Sequence, residues 1–154
     1  MTRITCRTPS TGRPIRVAYQ NVPTSYTTIA EAPDFSIPDT SNKYTERDPL
    51  DITRAIRPGE VFFLTPLSAR NKDVVTRWVE VRLITEEGNT IEMGRVDVPA
   101  GDTSFIPLQG RSLLKRLPAA ANGDRIQIRS EVVDIFDVWA AAEEKLSSEH
   151  IGVE

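Results

Sequence analysis

The chain has very little of what enzymatic and metal chemistry uses. One cysteine, Cys6, and one histidine, His150, occur in 154 residues. A lone cysteine excludes an intrachain disulfide and any cysteine-only metal site. A Ser-His-Asp or Cys-His device would have to recruit His150 from the last five residues, a poor place to hold a base in hydrogen-bond geometry. Aromatic residues are only 6% of the chain. No apolar run approaches the roughly 20 residues that span a bilayer, so no membrane partner is expected. The N-terminal stretch "MTRITCRTPSTGRP" carries no apolar core of a signal peptide, and cytoplasmic synthesis is expected.

Catalytic motifs are also missing. "TPSTGRP" is a polar turn without the Gly-Lys-Ser ending that a phosphate cradle needs. Carboxylate pairs such as Asp48 with Asp51 and Asp134 with Asp137 exist, but 22 acids in 154 residues guarantee chance pairs. We therefore expect no enzyme, no cofactor and no metal.

What is present is uneven. The first thirty residues hold Arg3, Arg7, Arg13 and Arg16 and no acid, whereas from Glu131 onward seven acids face Lys145 alone. A basic head and an acidic tail can attract each other between copies. Nucleic acid is a minor alternative partner for the head, since no aromatic stacking residues alternate with its arginines.

Seven of the eleven prolines lie at or before Pro58. Proline removes a backbone donor and disfavours helix and central strand. The same half still carries Ile15, Val17, Tyr19, Tyr26, Ile29, Phe35, Ile37 and Tyr44. We read residues 1–56 as an extended proline-rich N-terminal arm that lies on its own domain or on a neighbouring subunit. Arg3, Arg7, Arg13, Arg16, Tyr19, Tyr26, Phe35 and Tyr44 are its expected subunit-interface residues.

Residues 57–144 read as short strands between turns, with a tail over 145–154. "VFFLTPL" is a β-rich run ended by Pro66 and the polar "SARNKD". "VVTRWVEVRLI" alternates, with Val79, Val81 and Leu83 on one face and Trp78, Glu80 and Arg82 on the other. "TEEGN" is a hairpin turn with Gly88 free to take a positive φ, and "TIEMGRVDV" is the returning strand. "PAGD" is a tight turn, "TSFIPL" a short edge strand and "GRSLLKRL" a helical turn or a loop. Asn122-Gly123-Asp124 is a further turn before the alternating "RIQIRS". Phe62, Phe105 and Phe136 suit a core. Propensity starts a helix at Asp137, while the preceding "VVDIFDVW" favours a strand, so residues 137–147 stay open. The pattern is an all-β chain, an antiparallel β-sandwich of immunoglobulin-like or jelly-roll-like type.

The ordered set "RPGEVFFL", "VEVRLITEEGN", "VDVPAGDTSFIPLQGRSLL", "NGDRIQIRS" and "FDVWAAAEE" resembles the small β-sandwich virion structural proteins of tailed bacteriophages. The resemblance covers residues 57–144 and brings no catalytic motif. It implies a virion location, in the neck, tail, baseplate or capsid surface, and a last strand over residues 137–144. The expected function is a non-enzymatic structural protein, self-assembling through its sandwich and its arm, in the neck or tail. Its expected partners are copies of itself and neighbouring virion proteins. The alternatives are a capsid decoration protein and a carbohydrate-binding or adhesion module.

Overall fold

Alternation of apolar and polar residues builds ten strands in the computed structural model, which describes residues 13–33, 59–115 and 122–146. They are β1 (Arg13–Tyr19), β2 (Thr27–Glu31), β3 (Gly59–Phe63), β4 (Leu67–Asn71), β5 (Arg77–Ile84), β6 (Thr90–Val98), β7 (Thr103–Ile106), β8 (Ser112–Lys115), β9 (Arg125–Ser130) and β10 (Phe136–Leu146). Two antiparallel sheets face each other. The first has the order β7-β4-β10-β3-β8 with β1 on the other side of β10; the second has the order β2-β9-β5-β6.

The first sheet is simpler than its strand count. β4 and β3 lie end to end along β10, with Phe136 opposite Asn71 and Ala142 opposite Phe63. β7 and β8 lie end to end along β4 and β3 in turn. Counting each broken pair as one rank gives four ranks in either sheet. All the connections between ranks cross from sheet to sheet except the β5–β6 hairpin. That is the jelly-roll form of the β-sandwich.

The break between β3 and β4 is stitched to Ala141. Its carbonyl accepts the amides of Leu64 at 2.9 Å and Thr65 at 3.3 Å, and its own amide donates to the Thr65 hydroxyl at 2.9 Å. Pro66 therefore interrupts a strand without ending it. "SARNKD", expected to be a polar stop, supplies most of β4, because Leu67, Ala69 and Asn71 alternate inward and are buried. "GRSLLKRL", expected to be a helical turn or loop, supplies β8, paired to β3.

The open question over residues 137–147 resolves as strand through Leu146. β10 is the central rank, with β1 on one side and β3 and β4 on the other. A helix there would leave β1 without a partner and β3 and β4 each unpaired along one edge, and ladder bonds outweigh the few tenths of a kcal/mol per residue of alanine propensity. Phe136, Val138, Ala140 and Ala142 point into the core.

The arm expected over residues 1–56 does not hold for residues 13–33. β1 pairs with β10 from Arg13–Glu144 to Tyr19–Val138, and β2 pairs with β9. Val17, Val22, Ala30 and Ala32 belong to the core cluster. The prolines permit this by their positions: Pro14 sits in an edge strand, and Pro23 and Pro33 sit in connections. Residues 1–12 and 34–56 lie outside the described residues. Lys145 and Leu146, expected in the tail, continue β10, and residues 147–154 lie outside the described residues.

Two polar side chains, one fully buried and one half-buried, tie the ends of the sandwich. Fully buried Asn71 donates from Nδ2 to the carbonyls of Val75 at 2.8 Å, Val98 at 2.9 Å and Pro99 at 3.3 Å, and accepts the Asp73 amide at 2.8 Å. At the other end Asp124 accepts the amides of Glu86 at 2.9 Å and Leu114 at 3.0 Å. Each joins segments that are far apart in sequence.

Candidate functional site

Strand alternation leaves two outer faces, one per sheet, and their chemistry is opposite. On the second sheet, Glu80 stands between Arg95 of β6 and Arg129 of β9, as the β5 register requires. It forms ion pairs of 2.9 Å with Arg95 and 2.6 Å with Arg129. Burial pushes the Glu80 carboxyl up, but the hydrogen bonds and charge of the two arginines outweigh that and hold it below its ordinary range. The same arginines stack on aromatic rings: Arg95 lies 4.1 Å from the centre of Trp78, and Arg129 lies 4.7 Å from that of Tyr26. Arg82 covers Tyr26 from 3.8 Å and donates to Gln127 at 2.8 Å. Burial, with Glu80 and Glu92 nearby, raises the Tyr26 phenol. Charges and rings on this face are thus mutually covered.

The outer face of the first sheet is not closed in that way. Register places Ala18, Trp139, Ser68 and Phe105 side by side in one row across β1, β10, β4 and β7. Trp139 is 41% exposed and Phe105 64%. Ala18, Ala141 and the small, buried Ser68 make a low floor around them, so Trp139 is a ridge between two open depressions. One, of about 680 Å³, reaches Phe105, Thr65 and Pro66. The other, of about 630 Å³, reaches Tyr19, Gln20 and Asp137. Arg16 lines both. It makes no ion pair among the described residues. In the next row Arg70 stands opposite Asp137, whose carboxylate is already bonded to Lys72 at 2.9 Å. Burial pushes Asp137 up, and the Asn21 amide and Lys72 bring it below its usual range.

The expected interface residues divide between these settings. Arg16 and Tyr19 line the depressions beside Trp139, whereas Tyr26 is covered by arginines of its own chain. Arg13 is ion-paired with Glu144 of its own chain. Arg3, Arg7, Phe35 and Tyr44 lie outside the described residues. Of the phenylalanines assigned to the core, Phe136 is there. Phe105 points outward because Ile106 takes the inward position, and Phe62 is half-buried on the outer face near Lys145. Trp139 and Phe105 were missed as a pair. The signal for Trp139 was alternation, since an inward Val138 forces residue 139 outward. Nothing in the sequence placed β7 two ranks from β10.

No family model matches the chain, and no curated protein matches it. Two of the solved structures similar to it show the range. One is the CBM22-1–GH10 modules of endo-1,4-β-D-xylanase 10B from Clostridium thermocellum, complexed with xylohexaose. It shares 12% identity over 59% of this chain and 17% of that chain, with a TM-score of 0.33. The other is the virus-like particle of the extra small virus of the prawn Macrobrachium rosenbergii. It shares 16% identity over 92% of this chain and 86% of that chain, with a TM-score of 0.26. Both scores are too low to carry an inference about this chain.

Proposed function

We propose that this chain is a non-enzymatic structural subunit of a tailed-phage virion, placed in the neck or tail. It assembles there with copies of itself and with neighbouring virion proteins. The observation that carries the reading is the contrast between the two outer faces. One sheet neutralises its own charges and covers its own rings; the other presents Trp139 and Phe105 on an open floor with Arg16 beside them. Tryptophan and arginine are the residues most enriched among those that dominate protein–protein binding energy. The ordered turn-and-strand pattern described above supports the virion assignment.

Mass photometry and electron microscopy of the full chain test the assembly. A discrete oligomer is expected, lost in Trp139→Ser/Phe105→Ser with the melting temperature kept, because both side chains are exposed. A wild-type chain that stays monomeric at every concentration overturns the reading. Antibody labelling of purified phage particles tests the location, with label expected at the neck or tail.

The same row favours a second reading, a carbohydrate-binding module. Trp139 and Phe105 are two strand ranks apart, about 10 Å at the usual strand spacing, with Ser68 in the row between them and Thr65 lining the same depression. A glycan array separates the two: binding lost in Trp139→Ser by a monomeric wild type supports the module.

A further inference from the structure

At the end of the sandwich tied by Asn71, three connections meet. They are residues 72–76 after β4, the turn after β6 and residues 131–135 after β9. The Asn71 amide donates to the Asp102 carbonyl at 2.9 Å, and the Lys72 amide donates to the Ile135 carbonyl at 2.8 Å. This end exposes three valines: Val74 at 87%, Val75 at 46% and Val133 at 53%. Its carboxylates divide into two kinds. Asp73 and Glu131 are committed to Arg77, at 2.7 Å and 3.4 Å. Asp102 and Asp134 have no ion pair among the described residues.

The end is thus apolar and acidic, whereas the outer face of the first sheet is aromatic and basic. Arg16 and Arg70 lie in the rows on either side of Trp139, and neither has an ion pair among the described residues. The end cannot fold back onto its own face, because Asn71 and the Lys72 amide fix it to the strands.

We infer that the loop end bearing Val74, Val133, Asp102 and Asp134 seats on the Trp139–Phe105 face of a second copy, between Arg16 and Arg70. This inference rests on the structural-subunit reading and gives that assembly its geometry. Face-to-face pairing would set the arginines of two copies against each other, with the Asp137 carboxylate of that face already bonded to Lys72, which electrostatics disfavours. Face-to-end pairing matches both charge and apolar surface. A contact between two different patches is heterologous, and it propagates to a closed ring or a filament rather than stopping at a dimer.

Charge reversal tests this with the full chain and mass photometry. Arg16→Glu/Arg70→Glu reverses the face. Asp102→Lys/Asp134→Asn reverses the end at residue 102 and neutralises it at residue 134; asparagine is used because residue 134 has φ 65°, which it tolerates. All four positions are exposed, so each variant is expected to melt as the wild type does. Each variant alone should lose the assembled species, and an equimolar mixture should recover it, because every contact in the mixture again joins opposite charges. If the end variant assembles as the wild type does, the inference is overturned while the structural-subunit reading stands. If the mixture stays monomeric, the inference is overturned as well. A monomeric wild type overturns both.

Discussion

Arg13 of the arginine-rich head is ion-paired with Glu144 of the acid-rich end, within one chain. The β1–β10 register places them directly opposite. The charge asymmetry read from the sequence is therefore partly spent inside the subunit and not between subunits. The Arg13 side chain is 75% exposed, and exposed pairs contribute only about 0–1 kcal/mol. Arg13→Gln should leave assembly unchanged and stability nearly so, whereas Arg16→Gln should weaken assembly most at low salt, the difference from wild type shrinking as salt rises and screens the wild-type contact. Mass photometry across a salt series checks this. Equal effects of the two substitutions would return the head to the role expected from its composition.

Asn71→Ala should be among the most damaging single changes. The side chain is fully buried and donates to three carbonyls on two connections. Truncation leaves the Val98 carbonyl without that donor in the interior, and a buried group without its partner costs about 1–3 kcal/mol. The expected loss is about 3 kcal/mol in denaturant unfolding. Asn71→Asp should be at least as harmful, since it turns a carboxylate oxygen toward carbonyl oxygens. A loss below about 1 kcal/mol for Asn71→Ala would show that water replaces the amide.

The strands with clean alternation were legible: β5 and β9 follow from period two alone, and β6 from the hairpin turn before it, although a bulge at Met93 shifts its phase. So were the turns that demand a particular residue, such as Gly101 at φ 72° in the turn closed by the Asp102 amide on the Pro99 carbonyl, 3.1 Å. Proline density misled at β1 and β2, because it reports what a segment cannot be at particular positions and not whether it pairs. Alanine propensity left β10 open, because a central strand is fixed by neighbours brought from elsewhere in the sequence. The Trp139–Phe105 row was illegible for the same reason: it depends on which strands lie side by side, which no local pattern encodes.

Glu80 gives the fold a specific acid sensitivity. Arg129 and Arg95 hold its carboxyl below its ordinary range in spite of burial. A depressed carboxylate contributes stability above its unfolded pKa of about 4.3, and that contribution is lost as pH falls through the lower folded value. Asp137 and Asp73 are depressed too and add to the same acid limb. Glu80→Gln should therefore be less stable than wild type at neutral pH, with a shallower loss between about pH 5 and pH 2. Unfolding free energy measured across that range decides it, and parallel curves would remove Glu80 from the account.

Gly88 and Gly123 both resist substitution, for different reasons that one experiment separates. Gly88 has φ 96° in the β5–β6 turn, where its amide donates to Thr85 at 2.9 Å, and a Cβ there would meet nothing within 4 Å. Its cost is backbone strain alone, about 1–2 kcal/mol for alanine and somewhat more for the β-branched valine. Gly123 has no such strain. A Cβ at Gly123 would stand 2.9 Å from the Ala32 Cβ, 3.0 Å from the Ala32 carbonyl and 3.0 Å from the Lys115 Cβ. Gly123→Ala must therefore push apart the segments after β2 and β8, which Asp124 joins through its carbonyl to the Ala32 amide and its amide to the Leu114 carbonyl, both 2.9 Å. Overpacking of this kind costs about 1–3 kcal/mol. Adding Ala32→Gly removes one of the three contacts and should restore part of the loss at Gly123, while leaving Gly88→Ala unchanged. Additive unfolding energies for Gly123→Ala and Ala32→Gly would mean that the two backbones do not press on each other.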